Sequence, residues 1–145
     1  MPNRDIEFYI VNIFIAIEKI RNYTLKFNTA DELLHSMLEW DATIRELEII
    51  GEATNNLLKS HFIDEKYRII VDFRNQINHG YFGINHKVVW EVVNSEIDTF
   101  AEELLKTTLL HKKDLSDAIT CAKEENNYSI IIIKFLNHLE NKLDN

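Results

Sequence analysis

The chain has 145 residues, a length that suits one domain with one hydrophobic core. Apolar residues make up 46% of it and charged residues 28%, a balance that excludes a disordered segment and a membrane protein. Three glycines and one proline are too few for the turns of an all-β fold or a doubly wound α/β fold, so long helices are expected. The single cysteine, Cys121, excludes an intrachain disulfide and a multi-cysteine zinc site.

The net charge of −8 argues against binding to duplex DNA, which usually requires a basic face. The charge is uneven, because residues 61–87 carry four basic and three acidic side chains, and this segment allows a local anion site. The longest apolar run, residues 8–17, is about half a membrane span, and the acidic residues before it do not fit a secretory signal. We therefore expect a cytoplasmic protein that binds no membrane.

The first predicted helix covers about residues 4–26. Its isoleucines recur at the alternating spacing of one helix face: Ile6, Ile10, Ile13, Ile17 and Ile20. Further apolar residues widen this face: Phe8, Tyr9, Val11, Phe14 and Ile15. A helix that is apolar on more than one side needs two partners, which are either two helices of the core or one helix and another subunit.

The second predicted helix begins with a capping box, Thr29 to Glu32, and continues as one helix to about Leu58. Its apolar face comprises Leu33, Met37, Trp40, Ile44, Leu47, Gly51, Thr54 and Leu58. Glycine in the middle of a helix costs about 1 kcal/mol relative to alanine. Gly51 therefore indicates that another backbone approaches the helix closely at that point.

The third predicted helix begins near Asp64 as its N-cap and ends around Asn78 and His79, with Gly80 as the left-handed residue that follows. Its apolar face consists of Tyr67, Ile70, Arg74 and Ile77. The arginine on this face must be paired or lie at the mouth of a pocket, because an unpaired buried charge is costly.

A fourth helix, capped by Asn85, is expected to run to about Thr107. Its inward residues are Trp90, Val93, Ile97, Phe100 and Leu104, and both Trp40 and Trp90 are expected in the core. A short helix over residues 115–125 and another from Ser129 to about Leu143 follow. The four isoleucines at 130–133 leave a strand as the minority alternative for the last of these.

These elements predict an all-α, up-and-down bundle. Four to five main helices make up residues 1–110, and residues 111–145 form a C-terminal helical extension packed on the same domain.

Residues 74–81 combine a fixed cation, a titratable imidazole and a phenol near the end of the third helix. The planar guanidinium of Arg74 suits a phosphate, and His79 can transfer protons near neutral pH. Metal-free RNA cleavage needs a base for the 2′-hydroxyl, an acid for the leaving oxygen and a cation for the phosphorane charge. Because five residues turn an ideal helix by about 140°, Arg74 and His79 meet only if the helix ends first or if two subunits share a cleft.

This segment resembles the R-x4-H-x-Y signature of HepT-like toxins, which belong to the HEPN superfamily of all-helical domains. Arg74, His79 and Tyr81 occupy the signature positions, and Asn75 is the polar residue that follows the arginine. The similarity covers roughly residues 4–108. Residues 44–53 resemble the family's long second helix, and residues 80–84 with 88–90 resemble its loop into the fourth helix.

The resemblance implies a homodimer, with further assembly open, in which Arg74 and His79 of both subunits line a shared cleft and Asn75 supports them. It implies a metal-independent endoribonuclease without a cofactor, which cleaves tRNA or mRNA as the toxin of a type VII-like toxin–antitoxin pair. The antitoxin would be a minimal nucleotidyltransferase that adenylylates Tyr81, and the added AMP would neutralise Arg74 and block RNA entry.

Structural roles for the same residues stay open. Arg74 could pair with Glu48 or Glu52, which share a helix face, while His79 could merely end its helix and Tyr81 could pack on the bundle. The histidines lack H-x3-H spacing, so no metal site is expected. The alternative function is a catalytically silent HEPN module that binds a nucleotide or a nucleotidyltransferase partner. A weaker alternative is a purely structural helical dimer.

Overall fold

The computed structural model describes residues 2–79 and 84–144, with the side chains of residues 5–77 and 84–144. All regular structure in these ranges is helical, which confirms the all-α fold class. The helices are α1 (Pro2–Thr24), α2 (Ala30–Leu34), α3 (Met37–Lys59), α4 (Arg68–His79), α5 (His86–Glu91), α6 (Ile97–Leu110), α7 (Ser116–Glu125) and α8 (Ile130–Asp144). None of these described helices combines the length and the hydropathy that a bilayer crossing requires.

Helix α1 forms the centre of the core. All five isoleucines of its predicted face are buried, as are Val11, Phe14 and Ile15 on the neighbouring surface. The helix packs against α3, α6, α7 and α8 of the same chain. Of the two explanations for its broad apolar surface, the structure thus supports partners within the core, and α1 supplies no argument for a second subunit.

The predicted second helix is in fact two helices. Its capping box is confirmed, since Thr29 Oγ1 accepts from the Glu32 N–H and the Glu32 carboxylate accepts from the Thr29 N–H. The helix that begins there ends after five residues, and α3 starts at Met37. The prediction of one continuous helix was wrong because Leu33 and Met37 are four residues apart, so the apolar spacing continues across the break. Met37, which that spacing placed inward, is 78% exposed.

A 3-10 turn, Glu65–Tyr67, precedes α4. Asp64 was expected to cap the helix itself. The structure shows instead that it caps the 3-10 turn, where its carboxylate accepts from the Lys66 N–H at 2.8 Å. Helix α4 covers Arg68–His79, and its predicted end around Asn78 and His79 stays a prediction. The predicted left-handed Gly80 and the loop residues 81–83 lie outside the described residues.

The fourth predicted helix is a continuous helical run with a change of pitch in its middle. Asn85 caps α5 by accepting from the Lys87 N–H at 3.0 Å, as predicted. A π-helical segment, Val92–Glu96, then joins α5 to α6. The inward residues Val93, Ile97, Phe100 and Leu104 are buried. Trp40 and Trp90 are only half-buried, so their predicted place inside the core was wrong; the wide indole of Trp40 packs against the outside of the core.

Helices α7 and α8 form the C-terminal part of the chain. Residues 130–133 are helical, so the alternative of a strand is wrong, and Ser129 Oγ accepts from the Ile132 N–H at 3.3 Å. Both helices pack on α1, and their buried side chains belong to the same hydrophobic cluster as those of the other helices. The division of the chain at residue 110 stays a prediction.

Candidate active site

The start of α4 is held against α6. The Tyr67 hydroxyl donates to Glu103 Oε2 at 2.7 Å, and the rings of Tyr67 and Phe100 lie 5.1 Å apart. Burial and the bond to the Glu103 carboxylate raise the pKa of Tyr67 to about 12, while the same bond lowers the pKa of Glu103. The phenol therefore stays protonated, and α4 begins at a fixed point of the bundle.

Arg74 lies near the middle of α4, at its contact with α3. The residue is half-buried, and its Nε is shielded from solvent without a hydrogen-bond partner among the described residues. Neither Glu48 nor Glu52 pairs with it in the described part of the chain, so the alternative of a structural ion pair with either of them is wrong. A shielded donor on a charged group without an acceptor is uncommon in proteins and calls for an explanation.

Gly51 of α3 faces Arg74 directly. A Cβ at Gly51 would overlap the Cβ of Arg74, and it would lie 2.5 Å from Arg74 Cγ and 3.6 Å from the Ile70 carbonyl oxygen. The predicted close approach at Gly51 is confirmed, but the closest atoms belong to a side chain and not to a backbone. The reason is that the first two carbons of Arg74 fill the space that a side chain at Gly51 would take.

The other motif residues follow Arg74 along α4. Asn75 is exposed. His79 is the last described residue of α4, and its side chain, like the whole of Tyr81, lies outside the described residues. Since α4 does not end between Arg74 and His79, the two positions keep the separation of about 140° around the helix axis that an ideal helix gives.

Residues 84–86 contact the rest of the bundle. Ile84 is half-buried against the core, and Asn85 caps α5. His86 Nε2 lies 2.7 Å from Asp31 Oδ1, which joins the first turn of α5 to α2. Sequence reasoning missed this pair, because 55 residues separate its members and no spacing or motif signals it. The contact links the start of α5 to α2.

An apolar groove of about 370 Å³ runs along α4 between α3 and the helical run α5–α6. Its lining includes Leu47, Ile70, Phe73, Val92 and Phe100. The exposed polar residues along it are Asp72, Gln76 and Glu96, two of which are acidic. Such a groove does not suit the phosphates of RNA, so Arg74 is the better anion-binding candidate.

The described side chains contain no cluster of three or more histidine, cysteine, aspartate or glutamate residues that could hold a metal ion. Whether a metal takes part in the chemistry is a separate question, and the expectation that none does stays a prediction.

An all-helical fold is the one expected for a domain of the HEPN superfamily. Within it, the chain matches the model of a family described as "Ribonuclease HepT-like" over residues 13–107. The chain therefore belongs to the HepT-like ribonuclease family, as its R-x4-H-x-Y segment suggested. The matched range covers Gly51, Arg74, His79 and Tyr81, and it ends before α7 and α8.

Two similar proteins come from the same organism. A Methanocaldococcus jannaschii protein named as a gamma-glutamylcyclotransferase and candidate RNase is 38% identical over 108 residues, which cover 71% of this chain and 47% of that protein. The chain thus spans about half the length of that relative. Another protein of the same organism, named as a candidate RNase, is 31% identical over 108 residues, or 72% of this chain and 88% of the relative.

A third relative carries the family name itself. The probable ribonuclease HepT of Thermococcus cleftensis is 34% identical over 92 residues, which cover 61% of this chain and 83% of that protein. No solved structure matches the chain. These relationships support an RNase of the HEPN type.

Proposed function

We propose that the protein is a metal-independent endoribonuclease whose active site contains Arg74 and His79. The observation that carries this proposal is the state of Arg74. In a chain of the HepT-like family, a half-buried guanidinium stands on α4 with no ion pair among the described residues, five positions before His79. A phosphate would supply the acceptors that the described residues do not provide there.

The proposed reaction is transfer of a phosphodiester to the neighbouring hydroxyl. One imidazole takes the proton of the 2′-hydroxyl, whose oxygen attacks the adjacent phosphorus. The bond from phosphorus to the 5′-oxygen breaks, and an imidazolium donates the proton that this oxygen needs. The products are a 2′,3′-cyclic phosphate and a 5′-hydroxyl. Arg74 stabilises the charge that the phosphorane oxygens carry in between.

A homodimer would bring the two functions together. Arg74 and His79 lie on different sides of one α4, since the helix continues through both. In a shared cleft, the arginine of one subunit would serve the histidine of its partner, and both copies of each would line the same RNA path. Asn75, exposed next to Arg74, would support RNA binding at the edge of this cleft. Further assembly of dimers stays open.

In the cell, we propose, the enzyme is the toxin of a type VII-like toxin–antitoxin pair. A nucleotidyltransferase antitoxin would transfer AMP to the hydroxyl of Tyr81 and release pyrophosphate from ATP. Tyr81 is two residues from His79, so the added phosphate and nucleoside would occupy the RNA site and neutralise Arg74. The substrate would be tRNA or mRNA in the cytoplasm, without a role for DNA or a membrane.

The test is cleavage of labelled tRNA and mRNA by the purified dimer in the presence of EDTA. Intact mass first verifies that Tyr81 carries no AMP, because a modified protein would be inactive. We expect fragments with 2′,3′-cyclic phosphate ends that are absent with Arg74→Ala or His79→Ala. Cleavage that persists in both variants would point to a contaminating nuclease. No cleavage by a verified unmodified dimer would favour the catalytically silent module instead.

A further inference from the structure

The contact between α3 and α4 has an unusual composition at the point where Arg74 stands. Helices usually meet through apolar side chains on both sides. Here α3 contributes Gly51, which is buried and lacks a side chain, and α4 contributes the aliphatic start of an arginine. We propose that Gly51 is a positioning residue for the guanidinium of Arg74. This inference rests on the proposed function, because it assigns Gly51 a part in the same reaction.

The backbone of Gly51 does not itself require glycine. No described glycine has a positive φ, so an L-residue with a side chain is compatible with the helical conformation of Gly51. Alanine would also be the better helix former at this position. Glycine is therefore explained by the space that it leaves and not by its conformational freedom.

The nearest of the atoms that fill this space cannot rotate away. A Cβ on residue 51 would come closer than 3.0 Å to both Cβ and Cγ of Arg74, a distance that Cβ atoms essentially never show. The Cβ of Arg74 is fixed by the backbone of α4, so no change of rotamer relieves the overlap. Adding a methyl group would force α4 away from α3, and the guanidinium would move with it.

The same contact accounts for the buried Nε. Arg74 starts against the surface of α3, and its Nε ends shielded from water without an acceptor. Within the described part of the chain, the side chain is therefore held by packing against α3 and not by hydrogen bonds at its end. Packing of this kind leaves the charged end available for a phosphate, whereas an ion pair would occupy it.

Gly51→Ala tests this inference by three readouts. We expect a lower melting temperature, opposite to the rise that glycine-to-alanine replacements usually give in a helix. We expect faster hydrogen exchange of the Arg74 Nε–H in NMR spectra, by at least about tenfold, because the shielded site opens. We also expect kcat to fall by about 10²-fold, the cost of misplacing a catalytic group by about 1 Å, with a smaller change in KM. Glu52→Ala, at the exposed neighbouring position, is the matched control for the first two readouts.

The double variant Gly51→Ala with Arg74→Gly isolates the contact. Arg74→Gly removes both overlapping carbons, which Arg74→Ala would not do. In that background Gly51→Ala should raise the melting temperature, while cleavage stays absent. If Gly51→Ala alone fails to fold, recovery of the fold in the double variant gives the same answer.

The outcomes separate this inference from the proposed function. If the wild type cleaves no RNA, the proposed function fails, while the melting temperatures and the Nε–H exchange still decide whether Gly51 positions Arg74. An unchanged Nε–H in Gly51→Ala would overturn the inference, whether or not cleavage falls. A melting temperature that rises in Gly51→Ala would overturn it as well.

Discussion

Half-buried charged side chains are paired at the C-terminal helices α7 and α8 but not at the α3–α4 contact. In the C-terminal part, Lys123 of α7 pairs with Glu140 of α8, and Lys113, just before α7, pairs with Glu7 of α1 at 3.5 Å. At the α3–α4 contact, Arg74 has a shielded Nε with no acceptor among the described residues. A chain selected for stability alone would pair this arginine or replace it. The difference indicates that Arg74 serves the binding of a ligand and not the stability of the fold.

The family model divides the chain along the same line. It matches residues 13–107, which include α3 and α4, and it ends before α7 and α8. The comparison thus suggests that activity depends on the first region and that the second mainly adds buried surface. Substitutions should separate these contributions. Those at the proposed site should lower the cleavage rate, and those in α7 and α8 should lower the free energy of unfolding.

His79→Ala should have the largest effect on the rate. Removing an acid–base group usually costs about 10²- to 10⁴-fold in cleavage. The measurement is the single-turnover rate on labelled RNA with EDTA present. His138→Ala is the matched control, because His138 is exposed on α8, outside the proposed site. Equal losses in both variants would show that histidine replacement acts through general destabilisation.

Leu136→Ala should have the largest effect on stability in the C-terminal part. Leu136 is fully buried in α8, and replacing a buried leucine by alanine costs about 2–5 kcal/mol of the free energy of unfolding. Urea denaturation measures this loss, while the cleavage rate per folded molecule should not change. Ile130→Ala is the control, because Ile130 is 75% exposed in the same helix and its loss should cost less than about 0.5 kcal/mol. A fall in cleavage by the folded variant would show that α8 shapes the active site.

Local patterns of the sequence predicted most of the bundle. Three confirmed features each depend on residues within a few positions of one another: the isoleucine face of α1, the capping box at Thr29 and the cap at Asn85. Such features are set by helical periodicity and by hydrogen bonds at helix ends. The motif likewise located Arg74 without any knowledge of its neighbours.

Features that depend on distant residues were not predictable in the same way. The break before α3 has no glycine or proline to signal it, and the apolar spacing continues across it. The pairing of His86 with Asp31 joins helices 55 residues apart. The cost of glycine at position 51 did signal a close approach, but helical spacing alone could not show that Arg74 provides the approaching atoms.

Thr29→Ala should have a moderate effect, which tests how much one local signal contributes. The Thr29 side chain accepts from the Glu32 N–H at 3.2 Å, and loss of such a cap costs about 1 kcal/mol. Ser36→Ala is the matched control, because Ser36 is the N-cap of α3 but makes no side-chain cap bond, so its replacement should cost much less. Equal losses in urea denaturation would contradict the assignment of the cap.

Glu46→Gln should have the smallest effect, within about 1 kcal/mol, and it extends the comparison to a third charge. Glu46 of α3 is 6% exposed, and burial raises its pKa, an effect that Lys19 and Arg45 partly oppose. A raised pKa in the folded state means that stability from this group is present below the unfolded pKa, about 4.3, and declines as pH rises through the folded value. Glutamine cannot ionise, so the variant does not lose this stability. Its melting temperature relative to the wild type should therefore rise as the pH increases from acidic to neutral.

Thermal melts across this pH range check the sign, with Glu52→Gln at an exposed position of α3 as control. A gain at neutral pH would mean that ionised Glu46 destabilises the fold. Glu46 in α3 and Arg74 in α4 would then both be charged side chains that do not stabilise the bundle. A variant that becomes less stable than the wild type as pH rises would show instead that the ionised Glu46 carboxylate stabilises the contact with α1. In that case Arg74 alone would distinguish the α3–α4 region from the well-paired helices at the C-terminus.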